Sequence, residues 1–597
     1  MFKNRGLTYF LSISFLLLLQ NNACAQTAMT NVAGRNIISL NGKWKMIIDA
    51  FDAGSGSWLA FYKDRKPSGK NDFVEYSFDE GPSLNVPGDF NSQMPELGYY
   101  ESSVWYKRKF SYTRESGNRL FIHFGAVNYK AEVYVNSIKI GEHEGGFTPF
   151  QFEITNVIHN GENSVIVKAN NARVKDGIPG LGFDWFNYGG ITRDVHLIET
   201  SQTYIEDYLV QCKKDDPKII SGFVKLNGVK LKQQITVQLP EYKISQTFST
   251  DDKGIVTFQF PVKALKLWSP ENPGRSFVKV NSETDSIKED IGFRTIQVKG
   301  TDILLNGKPI FLKGINIHEE IPQRKARAYS EADATVLLSW AKDLGCNFVR
   351  LAHYPHNEHT VRLAEKMGLL VWEEIPVYQG IDFANPVMID KIERMMQEMI
   401  RRDRNRCNVI IWSLSNETNP GKDRNKVLSD LIVKAKLADS TRLIASAFHN
   451  TRQSNDSLFI EDELNALLDV ISINEYYGWY KTWPKVPGEM TWVSKFNKPL
   501  IMSEFGGEAL YGNEEGKRDV ASSWSEEYQE QIFIDQFKML KAIPFLRGTC
   551  PWILADFRSP GRNHPKYQNG WNRKGLLSDR GEKKKAWYTV NQFYKNF

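Results

Sequence analysis

The sequence predicts a multidomain chain in which two β-sandwiches precede a (β/α)8 TIM barrel. At 597 residues, the chain is too long for a single hydrophobic core. Its first half contains short alternating strands separated by Gly and Asn turns, whereas apolar strands alternate with helical segments after Val298. Hydrophobic residues account for 41% and charged residues for 24%, which is typical of a folded globular protein.

The first 25 residues have the pattern of a secretory signal peptide. A basic start is followed by an apolar run, and the small residues Ala23 and Ala25 precede Gln26. We expect cleavage after Ala25 and a secreted or periplasmic protein. Cys24 leaves lipoprotein anchoring as an alternative, although Asn21 and Asn22 fit poorly before a lipidated cysteine. No later segment is apolar enough for a membrane span.

Charge and cysteine content exclude several kinds of partner. The net charge of +6 arises from 76 basic and 70 acidic residues without a long basic run, so we expect no nucleic-acid partner. Four cysteines of the mature chain are widely spaced, in neither a metal-ligand nor a disulfide pattern. We therefore expect no metal and no cofactor, and buried free thiols at Cys212, Cys346, Cys407 and Cys550.

Two β-rich regions are predicted, at residues 26–200 and 201–297. The first contains alternating segments such as RLFIHFGAV and AEVYVNSIKIGEH. The second contains ITVQLP, GIVTFQF and SFVKVN, and its length of about a hundred residues suits a small sandwich. Neither region shows a crossover helix.

Residues 298–597 contain eight apolar strands with helices between them, which predicts the barrel. Ser330 and Asp333 form a predicted capping box at the first helix, which Gly345 ends. A stretch around Thr491–Phe496 is taken as helical before the seventh strand. The strands lie in PIFLKGIN, NFVRLA, LLVWEE, VIIWSLS, RLIASA, VISINEY, PLIMSE and GTCPWIL.

Two glutamates end strands of this predicted barrel. Glu417 follows the fourth strand and Glu504 ends the seventh, and active sites of such barrels lie at the C-terminal ends of the strands. A pair of carboxylates can hydrolyse a glycoside, with retention if they are about 5–5.5 Å apart and inversion at about 6.5–9.5 Å. Either glutamate alone could simply begin a loop.

Several segments resemble glycoside hydrolase family 2. DRNRCNVIIWSLSNE resembles the acid/base signature of this family, and NVPGDFNSQ, YYESSVWYKRKF, GGITRDVHLIE and NGKPIFLKGINIHEE are similar to other family segments. The resemblance implies a jelly-roll sugar-binding domain, an immunoglobulin-like sandwich and a catalytic TIM barrel. It also implies a retaining exo-β-glycosidase, with Glu417 as acid/base, Glu504 as nucleophile and Asn416 near the sugar 2-hydroxyl.

The two roles require different protonation states. The nucleophile must be ionised, whereas the acid must keep its proton near neutral pH. We expect repulsion between the two carboxylates to raise the pKa of one of them.

The resemblance is strongest to the β-glucuronidases of the family. Asn572 and Lys574 match the motif with which these enzymes hold the C6 carboxylate of the sugar, and INEYYGWY places Tyr476 and Tyr480 near the sugar. An amide and an ammonium can bind an anion through charge-assisted hydrogen bonds. A solvated surface lysine is the alternative for Lys574.

Three further residues are candidates by the same resemblance. His353 in RLAHYPH would contact a sugar hydroxyl, Trp552 would stack on the sugar, and Asp184 in FDWFNYGGI would bond a hydroxyl from the first domain. His353 could instead be a core histidine, and Trp552 could be ordinary barrel packing.

Other specificities remain open. Gln568 stands where some β-glucuronidases carry a basic residue, and a β-galacturonidase or β-galactosidase of the same family is an alternative. The segment IPVYQGIDFANP lacks the long loop of some enzymes acting on small conjugates, which favours the end of an oligosaccharide or polysaccharide. A non-catalytic carbohydrate-binding protein is an alternative from another class. The sequence also leaves open whether the chain forms a homo-oligomer.

Overall fold

The computed structural model describes residues 25–113, 115, 117–514, 516 and 523–596. The predicted signal peptide therefore lies outside the described residues, apart from Ala25. Within the described part, no helix is both long enough and apolar enough to cross a membrane.

The N-terminal domain packs two antiparallel sheets face to face. Alternate residues point inward, as Trp44 and Met46 do in one strand, and they join Tyr106, Ile122 and Val167 in one core. A short helix, Phe90–Gln93, and 3-10 turns at Val32–Gly34, Phe61–Lys63 and Pro95–Leu97 connect the strands. The five-stranded sheet has the order Gln26–Thr27, Phe150–Glu153, Arg119–Phe124, Val195–Thr200, Ile37–Ser39; the six-stranded sheet has the order Ser83–Val86, Gly42–Asp49, Ser103–Tyr112, Gly161–Asn170, Lys130–Val135, Ile138–Glu144.

A second, smaller sandwich follows. In the strand Ile255–Pro261, Val256, Phe258 and Phe260 point inward while the intervening residues are exposed. A 3-10 turn lies at Pro240–Tyr242. The three-stranded sheet consists of Tyr204–Lys213, Asp216–Asn227 and Ile255–Pro261, and the four-stranded sheet of Ile244–Ser249, Gln234–Leu239, Ser276–Asn281 and Ser286–Ile291.

The C-terminal domain is a nearly closed parallel barrel, which confirms the predicted fold class. Strands 5 and 6 meet only at a bridge between Phe448 and Ile473, and the other neighbours pair along their lengths. All eight predicted strands are present. Barrel strands 1 to 8 are Leu312–Ile317, Phe348–Leu351, Leu370–Glu374, Val409–Asn416, Leu443–Ala447, Ile471–Asn474, Leu500–Glu504 and Leu546–Thr549.

Helices surround the barrel, and several short strands lie outside the barrel sheet. The helices are Glu331–Asp343, Glu358–Met367, Pro386–Asp403, Lys422–Ala438, Glu526–Lys541 and Lys585–Lys595, with 3-10 turns at Pro322–Arg324, Glu463–Ala466 and Pro487–Glu489. The short strands are Ile296–Lys299, Asp302–Leu305, Lys308–Pro309, Glu320–Ile321, Ala326–Arg327, Phe557–Arg558 and Trp571–Asn572.

The predicted capping box is half formed. The Ser330 hydroxyl accepts from the Asp333 backbone N–H at 3.2 Å, as a helix N-cap does. The Asp333 carboxylate does not return a bond to Ser330, because it accepts from the Tyr329 N–H and pairs with Arg324.

The helix predicted around Thr491–Phe496 is wrong. Thr491–Ser494 is a strand that pairs with Ser457–Ile460, which in turn pairs with Thr451–Ser454. Trp492 is buried while Thr491 and Val493 are exposed, so this β-branched and aromatic segment follows a period of two. We call these three strands the rim sheet.

The four cysteines of the described chain are unpaired and buried, as predicted. Burial raises the pKa of the Cys346 and Cys407 thiols well above their usual range. They therefore behave as small apolar side chains of the core.

Candidate active site

A pocket of about 330 Å³ lies at the C-terminal ends of the barrel strands. This size is typical of small-molecule sites. All predicted site residues except Asn416 line it, so the structure brings them together from the first domain and from five strand ends. We call it the catalytic pocket; it is lined by Asp184, His353, Tyr378, Gln379, Glu417, His449, Asn474, Glu475, Tyr476, Tyr480, Lys481, Glu504, Trp552, Arg562, Asn572 and Lys574.

Glu417 and Glu504 face the same cavity, and each carboxylate is held at both oxygens. Glu504 accepts from the Arg350 guanidinium at 2.7 Å and from the Tyr476 hydroxyl at 2.7 Å. Glu417 accepts from the amide of Asn474 at 2.9 Å and from that of Gln379 at 3.0 Å. Their environments therefore differ: one carboxylate faces a cation, and the other faces neutral amides.

The pKa of Glu504 is raised above its usual range. Burial is the main cause, the Arg350 charge acts against it, and the Glu417 carboxylate adds to it. Repulsion within the pair thus contributes to a raised pKa at Glu504, the carboxyl that the resemblance casts as nucleophile.

Glu417 directly follows buried strand 4 and has an unusual backbone conformation. Glu417 has a φ of 52°, in the left-handed region that non-glycine residues rarely adopt. Its N–H donates to the Ala447 carbonyl at 2.8 Å, which fixes the turn against strand 5. Strain of this kind costs about 1–3 kcal/mol and is typical of functional sites.

Arg350 forms hydrogen bonds with several side chains of the site, and the sequence analysis did not predict it. This fully buried side chain donates to Glu504, to Asn416 Oδ1 at 2.8 Å and to Asn316 Oδ1 at 3.0 Å. It also binds both oxygens of Glu374. An arginine inside the otherwise apolar segment NFVRLA was the available signal, because a buried charge requires partners. Asn416, the residue before Glu417, is part of this hydrogen-bond network.

Glu374 and Trp552 fix the position of His353. Its Nδ1 lies 2.7 Å from Glu374 Oε1, and its ring stacks on Trp552 with centroids 4.7 Å apart. Burial would raise the pKa of Glu374, but Arg350 and His353 hold it at about 2. Glu374 is therefore a charged acceptor beneath the pocket.

A further part of the catalytic pocket carries two cations and two carboxylates. Lys574 Nζ lies 2.8 Å from the Tyr480 hydroxyl and 3.2 Å from Glu508 Oε1. Arg562 pairs with Asp184 and donates to the Tyr480 hydroxyl at 3.1 Å. We call Asp184, Glu508, Arg562, Asn572 and Lys574 the charged end. Asn572 joins it by donating to Asp184 Oδ2 at 3.1 Å.

Arg562 and Glu508 were not predicted, and Gln568 takes a different place. The Gln568 amide donates to both oxygens of Glu508, at 3.2 and 3.0 Å, and does not line the pocket. Burial lowers the pKa of Lys574, but the Glu508 carboxylate and Tyr480 together raise it above its usual value. Lys574 is therefore a fixed cation, and Arg562 supplies the second one.

This arrangement can cleave the glycosidic bond of a terminal acidic sugar. The pair Glu417 and Glu504 supplies the chemistry that glycoside hydrolysis needs. The Asp184–Arg562 ion pair joins the first domain to the last barrel loop at the wall of the pocket.

Two models of one protein family match this chain. Residues 296–597 match the model "Glycosyl hydrolases family 2, TIM barrel domain", and residues 37–201 match "Glycosyl hydrolases family 2, sugar binding domain". The chain is 29% identical to a putative beta-glucuronidase of Formosa agariphila, over 86% of this chain and 66% of that protein. It is 28% identical to the beta-glucuronidase of Rattus norvegicus, over 91% and 90% of the two chains.

Among solved structures, the β-glucuronidase from Ruminococcus gnavus in complex with D-glucuronic acid superposes with a TM-score of 0.79. The identity is 26%, covering 95% of this chain and 99% of that chain. Because the barrel model alone matches more than half of the sequence, including both carboxylates and Lys574, the chain belongs to glycoside hydrolase family 2.

Proposed function

We propose that this protein is a retaining exo-β-glucuronidase that releases terminal β-D-glucuronic acid. The observation that carries the proposal is the placement of Lys574 and Arg562 in the same pocket as Glu417 and Glu504. Two fixed cations there can bind the C6 carboxylate of the sugar. The similarity to β-glucuronidases of several organisms supports it.

In the proposed reaction, Glu504 attacks the anomeric carbon while Glu417 protonates the leaving oxygen. Water then hydrolyses the glycosyl-enzyme, with Glu417 acting as base. Arg350 stays bound to Glu504 and can stabilise its ionised form, and Asn474 and Gln379 hold the Glu417 carboxylate in place.

A panel of 4-nitrophenyl glycosides tests the proposal. We expect kcat/KM to be highest for the β-glucuronide, because only a uronic acid can use the charged end. Cleavage of the β-galacturonide in preference to the β-glucuronide would assign the enzyme to the other uronic acid. Cleavage of the β-galactoside without either uronide would refute the role of Lys574 and Arg562.

We also propose export by the N-terminal signal, with Gln26 as the first residue of the mature protein. Gln26 begins the strand Gln26–Thr27, which pairs with Phe150 and Gln151. N-terminal sequencing of the protein from a periplasmic or culture fraction tests this. Lipid attached to Cys24 would contradict it.

A further inference from the structure

A second cavity of about 360 Å³ lies beside the catalytic pocket and is absent from the sequence prediction. It is formed by the start of the helix Lys422–Ala438, the segment after barrel strand 5 and the rim sheet. We call it the outer cavity. Its lining includes Asn425, Thr451, Arg452 and Glu461.

The two cavities share a wall. His449 lines the catalytic pocket, and Asn450 and Thr451, which follow it directly, line the outer cavity. The Thr451 hydroxyl donates at 2.9 Å to Glu475 Oε2, and Glu475 lines the catalytic pocket. The two cavities are therefore adjacent, on either side of His449, Asn450 and Thr451.

The position of Glu417 relates the outer cavity to the leaving group of the proposed reaction. As the acid, Glu417 would contact the glycosidic oxygen, so the rest of the substrate lies on the Glu417 side of the bond. Pro420, three residues after Glu417, lines the outer cavity. The charged end, which would bind the C6 carboxylate, is built from other segments of the pocket wall.

The lining of the outer cavity is polar and carries no excess of positive charge. Among the described residues that line it, Pro420 is the only one without a polar side chain. Arg424 binds both oxygens of Asp462, and Arg452 binds both oxygens of Glu461. Glu463 adds a third carboxylate, so two arginines face three carboxylates.

These features distinguish among leaving groups. An aryl group gains most from stacking on an aromatic surface, and none of the described residues that line the outer cavity is aromatic. An acidic sugar would add a negative charge to a cavity where carboxylates already outnumber arginines. A neutral sugar offers hydroxyls that donate to carboxylates and accept from amides and guanidinium groups.

We propose that the outer cavity binds a neutral sugar residue, so that the substrate is an oligosaccharide in which neutral sugars follow the terminal glucuronate. This inference rests on the proposed β-glucuronidase function, because it concerns the leaving group of that reaction.

The Arg452–Glu461 ion pair can be changed to test the proposal about the outer cavity. Their side chains are 54% and 51% exposed, and exposed ion pairs of this kind contribute little to stability. Substituting Arg452 therefore changes the cavity without threatening the fold. Lys426 forms a comparable exposed pair with Asp430 on the neighbouring helix but does not line the cavity, so Lys426→Ala is the matched control.

The experiment compares kcat/KM for three substrates: 4-nitrophenyl β-glucuronide, a trisaccharide with terminal β-glucuronate on two neutral hexoses, and a trisaccharide of uronates throughout. We expect the neutral trisaccharide to exceed the all-uronate one by about tenfold or more, since at least one hydrogen-bonded contact is gained. Arg452→Ala and Asn425→Ala should each lower kcat/KM for the neutral trisaccharide by roughly 2- to 10-fold. The aryl glucuronide should be unaffected by either substitution, as should every substrate with Lys426→Ala.

The two proposals fail in different ways. If the wild-type protein cleaves no glucuronide, the proposed function is wrong. If it cleaves the aryl glucuronide but handles the all-uronate trisaccharide as well as the neutral one, the inference about the outer cavity is wrong. Equal losses on the aryl glucuronide and the neutral trisaccharide in Arg452→Ala and Asn425→Ala would also overturn it.

Discussion

Replacing Lys574 with methionine removes the cation while nearly keeping the volume of the side chain. Lys574 is almost fully buried between the Tyr480 hydroxyl and Glu508, so its substitution changes the charged end and little else. We expect Lys574→Met to lower kcat/KM for 4-nitrophenyl β-glucuronide sharply and to leave the protein folded.

The magnitude follows from the contacts of Lys574. Loss of a hydrogen bond from a charged donor to the sugar carboxylate costs about 1.5–3 kcal/mol, or roughly 10- to 150-fold in kcat/KM. Glu508 would then keep only its more distant cation, Arg562 at 3.6 Å, and its repulsion of the sugar carboxylate adds to this loss. Removing one partner of a buried ion pair can cost about 3–5 kcal/mol of stability. We expect less here, because Glu508 keeps the Gln568 amide and the Arg573 N–H at 3.0 Å.

Steady-state kinetics of three variants test this reasoning. Lys481 also lines the catalytic pocket but pairs with Glu475 instead of a residue of the charged end, so Lys481→Met serves as the control for loss of a cation. Adding Glu508→Gln to Lys574→Met should recover part of the lost activity, because it removes the carboxylate that has lost its nearer cation. Equal losses in Lys574→Met and Lys481→Met, or no recovery in the double variant, would refute the electrostatic account.

Three further predictions concern the carboxylate pair. Glu504→Ala should lower hydrolysis by about a thousandfold or more if this residue is the nucleophile; unchanged hydrolysis would favour the non-catalytic alternative or another nucleophile. Arg350→Met removes the charge that opposes the raised pKa of Glu504, so the acidic limb of kcat/KM against pH should move to higher pH; an unshifted limb would show that it reports another group. Because the pKa of Glu504 is raised in the folded state, ionising it costs stability as pH rises through that pKa. Glu504→Gln should therefore have a higher Tm than the wild type at pH 7, with a smaller difference at pH 4, and an equal or lower Tm at pH 7 would contradict this sign.

The barrel could be predicted from the sequence because its strands are almost entirely buried. Every residue of strand 4, Val409–Asn416, is buried, and a strand that begins with an apolar run such as VIIW is typical of a parallel sheet. Once eight such runs alternate with helices, the architecture itself places Glu417 and Glu504 at one end. The rim sheet escaped prediction because Thr491–Ser494 is only four residues long and its partner strand lies about thirty residues earlier.

The missed site residues share a different reason. Arg562 lies in an irregular loop segment, and its position depends on Asp184, which is 378 residues away. Glu508 likewise gains its role from Lys574, 66 residues further along the chain. Local patterns carry no information about such pairs, whereas Asn572 and Lys574 could be found because they resemble a short family motif.

The charged end contains two carboxylates, although it is proposed to bind an anion. A buried cation such as Lys574, or a half-buried one such as Arg562, is costly without a counterion, so Glu508 and Asp184 neutralise them within the protein. Glu508 belongs to the barrel, but Asp184 comes from the first domain. That domain also reaches the barrel through Arg193, which pairs with Glu319 at 3.2 Å just after strand 1. A barrel expressed without the first domain would leave Arg562 without Asp184, so the first domain is part of the active site.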